Sequence, residues 1–66
     1  MQQYKNGVYE GDYGIRYFVH DGRVLLTHLG NTYKASPLFL FGNWCEELLP
    51  EMVDQFNEVY NKSKQW

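Results

Sequence analysis

Apolar and polar residues alternate with a period of two through the first half of the chain and adopt a helical spacing in the second, with the change at about residues 36–43. The clearest pattern is Gly14 to His20, then Asp21-Gly22, then Arg23 to Leu29. Both runs are β-prone, and Asp-Gly suits a two-residue type I′ turn, whose positive φ values Asp tolerates and Gly adopts freely. A second turn at Gly30-Asn31 leads into a short strand, Thr32 to Ala35, which Ser36-Pro37 ends because proline has no ladder donor. Upstream, Asn6-Gly7 separates Gln3-Tyr4-Lys5 from Val8-Tyr9 and predicts a small extra hairpin or an edge strand.

Two-residue loops at both turns set the register: His20 opposite Arg23, Phe18 opposite Leu25, Leu29 opposite Thr32. One face then carries Ile15, Tyr17, Val19, Val24, Leu26, His28, Tyr33 and Ala35, which reads as core. The other carries Arg16, Phe18, His20, Arg23, Leu25, Thr27, Leu29, Thr32 and Lys34, and is mixed. Cys45, Leu48, Leu49, Met52, Val53, Phe56, Val59 and Tyr60 form one helical stripe, expected to cover the apolar face. Asn43 and Glu46 are spaced like a capping box, Glu46 and Glu47 sit near the positive end of the helix dipole, and Lys62 and Lys64 near the negative end. Pro50 conflicts with this, since an interior proline costs about 3 kcal/mol. Either Asn43 to Leu49 is a separate short turn and the main helix starts with Pro50 in its first turn, or one helix is kinked there. The expected fold is a single α+β domain over residues 1–66: a three- to four-stranded antiparallel meander packed on one C-terminal helix, kinked or split at Pro50. Leu38 to Phe41 adds a further strand or packs across a sheet end.

With 44% hydrophobic and 21% charged residues, the chain has the composition of an ordered domain. At this size a core supplies only about 3–5 kcal/mol, so the aromatics or a partner chain must add to it. The longest apolar run, Leu38 to Phe41, is far short of a membrane span, and Met1 to Lys5 lacks the build of a secretory signal. A soluble, cytoplasmic protein is expected. One cysteine cannot form an internal disulfide.

Apart from carboxylates, His20, His28 and Cys45 are the candidate metal ligands, none in a recognised spacing, and the two histidines fall on opposite sheet faces. Cys45 reads as a small core residue: Glu46 and Glu47 oppose its ionisation, and no third group orients His28 as a base. Glu10, Asp12 and Asp21 lie near glycines without EF-hand spacing, and Gly7, Gly11 and Gly14 form neither GxGxxG nor a P-loop. No catalytic residue, metal or cofactor is assigned, and 66 residues rarely close a substrate-burying cleft, so an enzyme is not expected.

Binding is better represented. Arg16, Phe18, His20, Arg23 and Lys34 interleave positive charge with an aromatic on one sheet face, as small sheet-based readers of nucleic acid do. A three-stranded antiparallel sheet backed by one C-terminal helix, over roughly Tyr13 to Tyr60, resembles the small DNA-binding domains at the N-termini of phage and transposon integrases. The likeness is one of topology and carries no residue roles. A pI near 5.5 opposes it, since the general field that attracts phosphates is lacking. Trp44, Trp66, Leu38, Phe39, Leu40, Phe41, Phe18, Leu25 and Leu29 exceed what one helix on three short strands can bury, so some stay exposed for a partner. Glu46, Glu47, Glu51, Asp54 and Glu58 lie mostly off the apolar stripe as an acidic row suited to a basic groove. The first expectation is a small non-enzymatic protein-binding regulator or inhibitor, of the kind phages and mobile elements use to block a host or defence enzyme. Its contacts are Arg16, Phe18, His20, Arg23, Leu25 and Lys34 on the sheet, with Trp44, Glu47, Glu51, Asp54 and Glu58 as a second surface. The alternative is a nucleic-acid-binding module using the basic sheet face. A homo-oligomer is compatible with either: Leu49, Met52, Phe56 and Val59 fit two heptads, too few for an independent coiled coil.

Overall fold

The computed structural model describes residues 4–65, the side chain of Phe39 excepted, so Gln3 of the expected N-terminal strand and Trp66 of the apolar surplus lie outside the described residues. Four strands run as a meander, β1 (Gly7–Glu10), β2 (Arg16–His20), β3 (Arg23–His28) and β4 (Asn31–Ala35). After a short 3-10 turn at Pro37–Phe39 come β5 (Asn43–Glu46), helix α1 (Pro50–Lys62) and β6 (Lys64–Gln65). The sheet order is β5-β1-β2-β3-β4-β6, antiparallel except for the parallel β4–β6 pair. Among the described residues it is therefore a six-stranded mixed sheet with one α-helix, larger than the three- to four-stranded antiparallel meander expected. The expected N-terminal edge strand is an interior strand, flanked by β5 and β2. No described helix is long and apolar enough to cross a membrane.

The β2–β3 hairpin has the register its turn dictates, His20 opposite Arg23 and Phe18 opposite Leu25, with Asp21 at φ 50° and Gly22 at φ 76°. The β3–β4 turn falls one residue earlier than the Gly30-Asn31 expected. Leu29 (φ 53°) and Gly30 (φ 79°) are its central residues, His28 opposes Asn31, and Thr27 opposes Thr32. Glycine thus takes the second turn position, as in Asp21-Gly22. Thr32 has moved from Leu29 to Thr27, a slip of two residues, so every side chain keeps its face.

Asn43 to Glu46 is strand and not the first turn of a helix. Proline presets the residue before it to extended backbone, which Leu49 adopts (φ −72°, ψ 154°), and a helix cut off there has fewer than two turns. Pairing with β1 satisfies that backbone instead. Glycine permits the close approach: a Cβ at Gly42 would sit 2.5 Å from the Glu10 carbonyl oxygen, and one at Gly7 would run into the Trp44 indole. Trp44 opposes Tyr9 and Glu46 opposes Val8, which leaves Cys45 as the extra residue of a bulge. Cys45 is exposed, contrary to its reading as core. The helix opens at Pro50, whose missing N–H is one of the orphan donors of a first turn, and there is no kink within it.

The two sheet faces exchange their expected coverings. Tyr9, Tyr17, Val19, Val24, Leu26 and Ala35 form the main core with Leu40, which the crossing segment after β4 brings onto this face. Tyr4 adds its ring edge-on to Tyr9 at 5.8 Å and its hydroxyl donates to the Leu40 carbonyl at 3.3 Å. With that face occupied, α1 lies on the other one. Its 13 residues span about 20 Å, and the five spacings between the outer strands about 24 Å, so the helix carries the chain from the β5 edge to the β6 edge. Phe56, 4% exposed, is its buried anchor, against the His20 ring at 5.7 Å.

Candidate binding surface

The residues expected to form an open sheet surface are partly covered by α1. Leu25 is 3% exposed and Phe18 is half-buried below the helix. His20 is half-buried beside Phe56, with its Nδ1 3.6 Å from the Asp21 carboxylate. Arg23 and Lys34 reach over the ring of Tyr60 at 5.5 and 5.1 Å, cation–π contacts that hold the end of the helix to β3 and β4. Arg16 stands apart at the opposite end of the sheet, exposed and paired with Glu10 at 3.6 Å. The basic-aromatic platform that would stack bases is thus interrupted by the helix, and the integrase-like layout is departed from in strand number as well.

Trp44 lies on the edge strand β5. Its Nε1 donates to the Asn6 carbonyl at 3.2 Å, and the Lys5 ammonium sits 3.8 Å from the ring centroid. Glu47 is in the loop before α1. Glu51, Asp54 and Glu58, at spacings of three and four, share the exposed side of α1, with Glu58 accepting from Lys62 at 3.3 Å. The expected contact residues therefore fall into separate regions: the Tyr60 clamp, the β5 edge and the outer helix face.

A different grouping appears at the end of the sheet reached by the β1–β2 and β3–β4 connections and by the entry to β5. Tyr13 is 90% exposed, Leu29 85% and Phe41 73%. Strands are about 4.8 Å apart, which places these three connections within about 20 Å along one sheet end. Tyr13 (φ 60°) and Leu29 (φ 53°) occupy left-handed backbone that costs an ordinary L residue about 1–2 kcal/mol. Neither gains burial in return. Leu29 and Phe41 belong to the apolar surplus that the sequence predicts. Tyr13 was missed, and its signal is the pairing Tyr13-Gly14, which matches Asp21-Gly22 and Leu29-Gly30 as a residue-glycine pair in left-handed backbone.

Between α1 and the sheet lies a groove of about 220 Å³. Phe18, Thr27 and Thr32 form its floor, and Met52, Gln55 and Val59 its helix wall. Thr27 and Thr32 share a hydroxyl–hydroxyl hydrogen bond at 3.5 Å. The groove opens on the sheet half nearer the Leu29-Gly30 turn, because the Thr27–Thr32 pair is the second one before that turn.

Compared with known proteins, the chain matches no family model, and no curated protein sequence or solved structure is significantly similar to it.

Proposed function

We propose that this protein works by binding another protein, as a small regulator or inhibitor that covers part of its partner's surface with the apolar end of its sheet. The observation that carries this reading is the group Tyr13, Leu29 and Phe41: three large apolar side chains held in water at one sheet end, two on backbone that disfavours them. Strain without compensating burial is the pattern of a functional position, and exposed aromatics are the residues from which interface anchors are drawn. The acidic side of α1 adds a charged flank that steers approach to a basic partner.

The test compares the wild-type chain with the triple variant Tyr13→Ser, Leu29→Asn, Phe41→Ser. Both should show the same circular dichroism, because none of the three side chains is buried. A protein retained from lysate on immobilised wild type should be lost from the variant. Equal retention by both would refute the assignment of this surface. Binding to a mixed duplex that weakens linearly in log salt, and is abolished by Arg23→Ala with Lys34→Ala, would establish the nucleic-acid function instead.

A further inference from the structure

The groove between α1 and the sheet has a size and a polarity that define what it takes. We propose that it is the anchor pocket for one tyrosine side chain of the protein partner, an inference that rests on the protein-binding reading for the source of that tyrosine. Its volume of about 220 Å³ exceeds the roughly 150 Å³ in which an engineered apolar cavity holds benzene, so one ring with a polar substituent fits. No charged side chain lines it among the described residues. An ionic guest would lose its hydration there without a counter-charge.

The polar groups inside select further. The Thr27–Thr32 bond is long for an O–H···O interaction and occupies only one of the two hydroxyl donors. The second donor, the remaining lone pairs and the Gln55 amide are available to a guest. A phenol both donates and accepts, and so answers either type of partner, whereas an indole N–H only donates and an aliphatic side chain does neither. Phe18 and the Met52 thioether supply the aromatic and sulfur contacts that a ring favours. The position suits the same partner: Thr27 is two residues, about 7 Å, before Leu29 on one chain. A protein seated on the apolar sheet end reaches the groove with a single side chain.

The experiment uses the protein alone with p-cresol, the tyrosine side chain as a free molecule, and toluene as its match without the hydroxyl, each titrated by NMR. A millimolar Kd for p-cresol is expected, as for any fragment of this size, with shifts centred on Thr27, Thr32, Gln55 and Val59. Toluene should bind about fivefold more weakly, the worth of one net hydrogen bond. Thr32→Val keeps the shape and removes one of the groove's hydroxyls, so it should narrow the difference between the two probes, and Thr32→Val combined with Gln55→Met should narrow it further. Gln55→Met, at an exposed helix position, makes the same comparison if Thr32→Val does not fold. Shifts that do not saturate or lie elsewhere, or equal affinity for both probes, would overturn the pocket and leave the protein-binding reading to its own test. Saturable p-cresol binding by a chain that retains no protein would overturn the assignment of the tyrosine to a protein partner.

Discussion

Leu29→Asn should make the protein more stable while weakening its binding. The substitution turns Leu29-Gly30 into Asn-Gly, the pair type I′ turns favour, because asparagine tolerates left-handed backbone through local hydrogen bonding. Leucine at φ 53° bears a cost of about 1–2 kcal/mol that asparagine largely avoids. Against this stands the burial forfeited. A fully buried leucine contributes about 1.5–3 kcal/mol, and at 85% exposure Leu29 draws under about 0.5 kcal/mol of it. The net gain is about 1 kcal/mol, which for a domain of this size raises Tm by about 4–8 °C. Thermal melts by circular dichroism, with urea titrations showing an unchanged m-value, measure it. Leu29→Gly serves as control and should gain less, since glycine's freedom in the unfolded chain offsets about 0.4–1 kcal/mol. A fall in Tm for Leu29→Asn would mean that the leucine is held by contacts it does not make here, and the argument that it is kept for binding would fail with it.

Two further expectations concern the two sides of the sheet. Phe56→Ala removes the buried anchor of α1 at a cost of about 3–5 kcal/mol, comparable to the whole stability of a domain this small, so the variant should lack a cooperative melt; a Tm within a few degrees of wild type would contradict the packing. On the other face, burial of Tyr9, with the Tyr4 phenol beside it, raises the Tyr9 pKa above its ordinary value of 10.0. Because the folded-state value is the higher one, the stability linked to it is complete below about pH 10 and lost as pH rises through the raised value. Tyr9→Phe should flatten that alkaline decline in urea titrations, while costing about 1 kcal/mol at neutral pH for the hydroxyl that donates to the Lys5 carbonyl at 2.8 Å. An unchanged alkaline slope would refute it.

The candidate surface was legible in the sequence as a surplus and not as a place. Too many large apolar residues for one helix on a short sheet implies exposed ones, and Leu29, Leu38 and Phe41 are exposed while Leu25 and Leu40 are buried. Which members stay outside depends on where each sits relative to a turn. Tyr13 and Leu29 are exposed because residue-glycine turns hold them beyond the last paired residues of the sheet. Of the acidic row, Glu51, Asp54 and Glu58 follow from helical spacing and lie on α1, whereas Glu46 falls in β5 and Glu47 in the loop before the helix, because Pro50 starts the helix later than that row assumed.

What the sequence determined by itself is local: the Asp21-Gly22 hairpin and its register, the period of two that sorts β2, β3 and β4 onto two faces, and a helix beyond Pro50. These follow from turn chemistry and from side-chain alternation, which act over a few residues and survive even the two-residue slip at Leu29-Gly30. Tertiary structure decided which face the helix covers and how the sheet is extended by β5 and β6. Strand edges join through backbone N–H and C=O groups common to all residues, so Asn43 to Glu46 carries no side-chain signature for β1. Both faces had apolar residues enough to receive the stripe of α1, and in the folded chain Leu40, from the segment between β4 and β5, occupies one of them while α1 covers the other.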